Sequence, residues 1–463
     1  MNFFADDTIA ALATAMGASG IGIIRISGKD SMKILAEIFH PKNKKKNMME
    51  VNSHTIHYGH IYDGDEMADE VLVMVMKGPH TYTGEDTVEI DCHGGILALR
   101  KVLETVVKHG ARPAEPGEFT KRAFLNGKMD LSKAEAVMDV INARNEYALK
   151  SSLSQLKGSL ESEIKNIREN LIYHIAFIES ALDDPEHVSI DGYGDSLYES
   201  VEKEEKRIEK LISSFDEGKL IQEGIKTVIV GKPNAGKSSL LNVLVKEERA
   251  IVTDIAGTTR DVLEENIMLN GISLKITDTA GIRKTDDVVE KIGVEKARQY
   301  AKEADLILYV ADSSRPLDEN DYDIISLIKE EKKKAIVLLN KSDLNGSIKK
   351  ENITEKIEVP VIEISALEET GIEKLEKCMK DMFFNGDISF NDEIYITNIR
   401  HKNALEEARK SLDLVKVSIE DQMPEDFFSI DLMGAYEALG SITGESLGED
   451  LVNEIFSKFC TGK

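Results

Sequence analysis

Apolar positions recur with two different periods along this chain. In residues 1–118 short apolar or alternating runs predict strands at 21–26 (Ile21-Gly22-Ile23-Ile24-Arg25-Ile26), 54–60, 71–76 and 87–90. Helical spacing appears between them, at 31–39 and 96–109. This predicts an α/β or α+β domain, with Arg112-Pro113-Ala114-Glu115-Pro116-Gly117 as its exit loop. The pattern of 119–219 is helical. Asp130 or Ser132 can cap a long helix running past Leu153, with Leu131, Ala134, Val137, Met138 and Ile141 on one face. A second helix over 160–182 carries the stripe Ile164, Ile167, Leu171, Ile175, Ile178 and stops at Asp183-Asp184-Pro185. A third, at 196–215, is rich in Glu and Lys.

Over 220–385 the pattern becomes strand, loop, helix. Apolar runs at 225–230, 272–276, 335–339 and 361–364 each end in a polar loop. Over 386–463 helical segments return at 402–418, 427–439 and 449–459. The apolar stripes before and after the central region each need a partner. The economical arrangement packs them together as one helical domain, with the central α/β domain inserted between them.

The loops of the central region carry the chemistry. Gly231-Lys232-Pro233-Asn234-Ala235-Gly236-Lys237-Ser238 follows the 225–230 strand and opens a helix that begins with Ser239. This is a phosphate-binding loop: glycines let backbone N–H groups face phosphate oxygens, Lys237 reaches the outer phosphates, and Ser238 offers a hydroxyl to Mg²⁺. Asp278-Thr279-Ala280-Gly281 ends the 272–276 strand, so Asp278 can hold Mg²⁺ through its water and Gly281 can donate to the γ-phosphate. Between them, Gly257-Thr258-Thr259-Arg260-Asp261 offers Thr259 as the residue that closes on the metal. Asn340-Lys341-Ser342-Asp343 supplies a carboxylate that accepts guanine's N1–H and exocyclic amine, a pattern adenine cannot offer. The backbone of Ser365-Ala366-Leu367 can donate to guanine O6. Five motifs in this order at strand ends predict a GTP-binding domain.

Three residues bear on hydrolysis. Ile282 stands where Ras-like proteins carry a water-orienting Gln, so water is positioned another way. Glu290, in Asp286-Asp287-Val288-Val289-Glu290 near the start of a helix-like segment, is the best nearby carboxylate for that role; the alternative is an acid favoured by a helix N-terminus. Asn234 lies outside the minimal motif, and its side-chain oxygen can bind a monovalent cation that neutralises developing charge as an arginine finger does.

Composition narrows the picture. With 463 residues, 41% hydrophobic and 31% charged, the chain suits about three globular domains. No apolar run approaches a membrane span, and no basic-then-apolar leader opens the chain, so a cytoplasmic protein is expected. Three dispersed cysteines, Cys92, Cys378 and Cys460, argue against disulfides and a zinc site. A net charge of −26 repels nucleic acid, so any nucleic-acid role requires a local basic patch or a partner. The run Lys42-Asn43-Lys44-Lys45-Lys46 reads as a solvated loop.

With these residues in view, the chain resembles the MnmE/TrmE family of tRNA wobble-uridine modification GTPases over essentially its whole length. The resemblance rests on the phosphate loop, on the run from Ile251 through Thr253-Asp254-Ile255-Ala256-Gly257-Thr258-Thr259 to Asp261, and on Asp278 to Ile282. It extends to Cys460-Thr461-Gly462-Lys463, Gly22 to Gly28, Thr83-Gly84-Glu85-Asp86, His93-Gly94-Gly95, Glu118-Phe119 and Ala123-Phe124-Leu125-Asn126. The chain departs from the family pattern at Thr461, at Ala15-Met16-Gly17-Ala18 and at Asp184.

The resemblance implies a folate-binding, dimerising domain at 1–118, a helical domain at 119–219 and 386–463, and a Ras-like GTPase domain at 220–385. It implies an FAD-containing partner of the glucose-inhibited-division type in a heterotetramer. It also implies transfer of an aminomethyl or carboxymethylaminomethyl group to carbon 5 of a wobble uridine, with 5-formyl- or methylene-tetrahydrofolate as the one-carbon source. Arg25, Glu89, Lys128 and Lys463 match the family's folate contacts. Mg²⁺ falls to Ser238 and Thr259, K⁺ to Asn234, Thr253, Ile255 and Thr258, and water orientation to Glu290. Cation binding by the switch loop implies face-to-face GTPase dimers. Cys460 suits proton or methylene transfer, or is a plain terminal thiol. Two other readings remain: a regulatory or ribosome-assembly GTPase, which calls for a basic RNA-binding flank, and a folate-dependent aminomethyltransferase with an appended GTPase.

Overall fold

The structure, a computed structural model, describes residues 7–184, 186–187, 192–247, 264–269, 271–277, 298–384, 394–445 and 448–462. The chain divides into two compact units. One comprises Met1–Ile141, Ser154–Glu202 and Glu407–Lys463, the other Asn142–Leu153 and Lys203–Glu406.

The first unit holds a seven-stranded sheet in the order β3-β4-β5-β6-β2-β1-β7. Its strands are β1 (Ile9–Leu12), β2 (Ile21–Ser27), β3 (Phe39–Pro41), β4 (Thr55–Asp63), β5 (Glu66–Met76), β6 (Thr87–His93) and β7 (Arg112–Pro113). All pairings are antiparallel except β1 with β7. Alternation decides which face is buried: Ile24, Ile26, Val73, Val75, Val88 and Ile90 are fully buried with the helices Ser31–Ile38 and Ile96–Lys108. The opposite residues Ile23, Arg25, Glu89 and Asp91 then share the other face, because side chains alternate along a strand.

The expected stripe at Ile164, Ile167, Leu171, Ile175 and Ile178 is buried on the helix Ser159–Asp183. That helix packs on Glu425–Thr443, whose Leu432, Ala435, Leu439 and Ile442 are buried. Helices that precede and follow the nucleotide-binding sequence therefore cover each other.

The second unit holds β13-β12-β11-β8-β10-β9 as its sheet among the described residues. These are β8 (Ile225–Val230), β9 (Glu264–Leu269), β10 (Ile272–Thr277), β11 (Leu306–Asp312), β12 (Lys334–Asn340) and β13 (Val361–Glu363). Only β9 runs antiparallel to its neighbour. The central strands β11 and β12 are near-continuous apolar runs because both faces are covered. Among described residues no helix is long and apolar enough to cross a membrane.

Three expectations need correction. The long helix past Leu153 is broken into Leu131–Asn142 and Glu146–Leu156. Asn145 causes the break: its buried side chain accepts from the Ala148 N–H at 2.7 Å, starting a new helix, and donates to the Ile221 carbonyl at 2.9 Å. The helix expected over 196–215 is Tyr193–Ser213, followed by a separate helix Phe215–Glu223. The strands β1, β3 and β7, short and stabilised by their neighbours, were not expected.

Candidate functional site

The site is built at the carboxyl ends of β8, β11, β12 and β13. After Val230 the backbone enters conformations open mainly to glycine. Gly231 has φ 154° and lies so near the Val310 carbonyl that a Cβ would sit 2.3 Å from its oxygen. Asn234 follows at φ 60° and Gly236 at φ 99°. The chain then enters the helix Lys237–Glu247, whose N-terminal N–H groups point back at the loop. The Lys237 ammonium rests on loop carbonyls, donating to Gly231 O at 2.6 Å and Lys232 O at 2.8 Å. Burial lowers its pKa, as expected of a cation with no carboxylate beside it among the described residues. Asn234, Ser238 and Ser239 are exposed at the loop's mouth, while Ala235 is buried beneath it.

Asn340 ties this loop to the base-reading end. It ends β12 and is 2% exposed. Its Nδ2 donates to Ala235 O at 2.8 Å and its Oδ1 accepts from Ala366 N at 3.0 Å. Gly236 is needed here: a Cβ would lie 2.0 Å from Asn340 Nδ2. Lys341 adopts φ 65° and donates to Asp312 Oδ2 at 2.6 Å. Burial alone would raise the Asp312 carboxyl, but hydrogen bonds from Lys341, Ser314 and Arg315 outweigh it and hold its pKa well below the usual range. Ser365, buried after β13, donates its hydroxyl to Asp343 Oδ1 at 2.6 Å, fixing the plane of that carboxylate. The arrangement brings together a glycine-rich loop ahead of a helix N-terminus and an oriented carboxylate at Asp343.

The structure thus brings together Asn234, Ala235, Gly236, Lys237, Ser238, Ser239, Asn340, Lys341, Asp343, Ser365 and Ala366. Thr253, Asp254, Ile255, Ala256, Gly257, Thr258, Thr259, Asp278, Thr279, Ala280, Gly281, Glu290 and Lys463 lie outside the described residues. The oxygen donors present, a hydroxyl at Ser238 and an amide oxygen at Asn234, fit Mg²⁺ and a monovalent cation, and the Lys237 ammonium, which no described carboxylate neutralises, suits phosphate oxygens. No group of three His, Cys, Asp or Glu residues that could hold a metal occurs among the described residues. Asp312 was missed in the sequence; its signal is an acid closing a wholly apolar strand.

A second constellation lies in the first unit. Arg25 and Glu89 are register partners across β2 and β6, paired at 2.7 Å. The guanidinium carbon lies 5.8 Å from the Tyr82 ring centre and 5.7 Å from that of Phe119. Its Nη1 donates to the Gly462 carbonyl at 3.2 Å. Lys128 donates to Pro79 O at 2.8 Å. The C-terminal segment is docked: Cys460 O accepts from Gly117 N at 3.2 Å, and a Cβ at Gly462 would sit 2.3 Å from Leu12 O. The Cys460 thiol is exposed. Behind this lies an ion network that sequence reading missed. Arg122, with its side chain 7% exposed, meets Asp7 at 2.7 Å, Glu118 at 3.0 Å and Glu85 at 3.1 Å. Arg112 takes both oxygens of Glu118, at 2.8 and 2.6 Å.

The sheet order, the Gly-rich loop ending in Lys237-Ser238, and Asn340-Lys341-Ser342-Asp343 at the end of β12 define a P-loop GTPase, an enzyme that hydrolyses GTP. The family description "MnmE helical domain" matches residues 131–460, and "GTP-binding protein TrmE N-terminus" matches residues 8–128. The chain belongs to the MnmE/TrmE family. It is 58% identical over 457 residues to the tRNA modification GTPase MnmE of Lachnoclostridium phytofermentans, covering 99% of each chain. It is 49% identical over 465 residues to the protein of the same name from Clostridioides difficile, covering 99% of this chain and all of that one. The G domain of FeoB from Methanococcus jannaschii, 24% identical, covers 34% of this chain and 97% of its own, with TM-score 0.27.

Proposed function

We propose that this chain is a cytoplasmic GTPase that drives modification of the wobble uridine of tRNA. The supporting observation is the likeness, over 99% of the chain, to relatives named tRNA modification GTPase MnmE. A GTP site and a separate basic–aromatic constellation on one polypeptide fit a coupled reaction better than a bare switch.

In this reading Asp343, held by Ser365, accepts guanine's N1–H and amine, and the loop at 365–367 donates to O6. Lys237 leaves the Gly231 and Lys232 carbonyls for the outer phosphates. Ser238 and Thr259 hold Mg²⁺, aided by Asp278; Asn234, Thr253, Ile255 and Thr258 hold K⁺. When bound, the two cations offset charge that develops on the transferred phosphoryl group. Gly281 donates its N–H to the γ-phosphate, and Glu290 orients the attacking water. The K⁺-bound switch segment lets two GTPase domains meet face to face.

Tetrahydrofolate, as the 5-formyl or methylene form, binds at Arg25, Glu89, Lys128 and Lys463 on a domain that dimerises. Glu89 accepts from the pterin's donor edge, and the cations take ring carbonyls or the glutamate tail. Cys460 lies on the docked tail, where it can move a proton or a one-carbon unit. An FAD-containing partner of the glucose-inhibited-division type supplies the redox step, and it or a local basic patch carries the tRNA past the acidic field of this chain.

Reconstitution tests the reading. The purified chain, the flavoprotein, GTP, K⁺, methylenetetrahydrofolate, an amine source and unmodified tRNA should yield a 5-substituted wobble uridine. Omission of GTP or of this chain should abolish it. Equal product without this chain would leave only the switch reading.

A further inference from the structure

We infer that Asp321 and Tyr309 are positioning residues for the phosphate loop, acting through the side chain of Lys232. Lys232 is the loop's second residue, where the motif specifies no side chain. Its ammonium donates to Asp321 Oδ2 at 2.7 Å and to Asp318 Oδ2 at 2.9 Å. The Lys232 side chain is 10% exposed and that of Asp321 only 3%. Tyr309, fully buried on β11, donates its hydroxyl to the other oxygen of Asp321 at 2.7 Å. Burial would lower the Lys232 pKa, but the two carboxylates outweigh it and raise it, so the ammonium stays charged.

Three elements converge on the Asp321 carboxylate. Tyr309 pairs in register with Val230, the last residue of β8 before the loop. Asp321 belongs to the first turn of the helix Glu319–Glu331, and its Oδ2 also accepts from Asp318 N at 3.0 Å, closing a capping box. Lys232 belongs to the loop. The link to the nucleotide is one bond further on. The carbonyl of Lys232 accepts from Lys237 Nζ at 2.8 Å, so its side chain is held by Asp321 and its carbonyl by Lys237. A shift of Lys232 moves the resting place of the phosphate-binding ammonium and disturbs Gly231 against Val310. An untethered loop must be ordered by the nucleotide, and that ordering cost weakens binding.

The test uses the full chain and a fluorescent GDP analogue whose release is followed by stopped flow, with melting of the nucleotide-free protein measured in parallel. Lys232→Met is expected to speed release about tenfold, the scale of one hydrogen bond to a charged group. Lys232→Arg is expected to restore it to within about threefold of wild type, since a guanidinium also pairs with carboxylates. Asp321→Asn added to Lys232→Met should add little, because both changes cut one tether. Lower melting with unchanged release, or multiplying effects in the double variant, would overturn the inference. Should Lys232→Met not fold, Tyr309→Phe removes one hydroxyl and is expected to speed release about threefold; no change would overturn it equally.

Discussion

Asn340→Ala tests the claim that one buried amide holds the phosphate and base halves of the GTP site together. The wild-type side chain is 2% exposed and makes two hydrogen bonds, to Ala235 O at 2.8 Å and from Ala366 N at 3.0 Å. Ala235 and Ala366 are themselves 1% and 7% exposed, so water reaches neither group easily. Truncation leaves a buried carbonyl and a buried N–H without this partner, at about 1–3 kcal/mol each. The combined cost is then roughly 2–6 kcal/mol. Part of it is lost stability of the nucleotide-free protein, and part appears only when the loops must be ordered around nucleotide. About 1.4–2.8 kcal/mol expressed at the site weakens binding about 10-fold to 100-fold. The assay is equilibrium titration with a fluorescent GDP analogue, beside thermal melting. GDP and GTP should weaken together, because neither hydrogen bond involves the γ-phosphate. GDP affinity within about threefold of wild type, with unchanged melting, would refute the reasoning.

Three further outcomes follow from the same geometry. Arg122→Met removes a nearly buried cation shared by Asp7, Glu85 and Glu118; Asp7 and Glu118 keep Arg112 and Glu85 keeps the Ser27 hydroxyl, so the loss is about 1.5–3 kcal/mol, the scale of a hydrogen bond to a charged group; denaturant unfolding showing a loss under about 1 kcal/mol would contradict the network's importance. The folded-state pKa of Asp312 lies below its ordinary 3.8, so its contribution is present above that value and is lost as pH falls through the depressed one. Wild-type stability should therefore fall more steeply below about pH 4 than that of Asp312→Asn, and parallel melting curves would contradict this. Glu290→Ala should keep GTP affinity while hydrolysis falls by about 10²-fold or more, the scale of a lost general base or water-orienting group; an unchanged rate removes Glu290 from the mechanism.

The GTP site could be read along the sequence because its parts are local. Each motif follows an apolar strand, and Lys237, Asn340, Asp343 and Ser365 sit within a few residues of a strand end. The helical stripe at Ile164 to Ile178 was equally plain, since its period is its own evidence. What could not be read are features whose partners lie far away. The helix break depends on Asn145 meeting the Ile221 carbonyl, 76 residues on. β1 is a four-residue strand held along its length by β2, and the two-residue β7 exists only as its parallel neighbour among the described residues. Arg122 binds acids 115 and 37 residues distant, and Lys232 finds its carboxylate 89 residues later. Such pairs become visible only once register and topology are known.

The central claim is that GTP hydrolysis by this chain serves tRNA modification. Mass spectrometry of wobble uridines, in tRNA from cells with and without the gene, tests it most directly. The account predicts that the 5-aminomethyl-type substituents disappear without the gene, return with the wild-type chain, and do not return with a chain carrying Lys237→Ala in the phosphate loop. Unaltered wobble uridines in cells lacking the gene would contradict it.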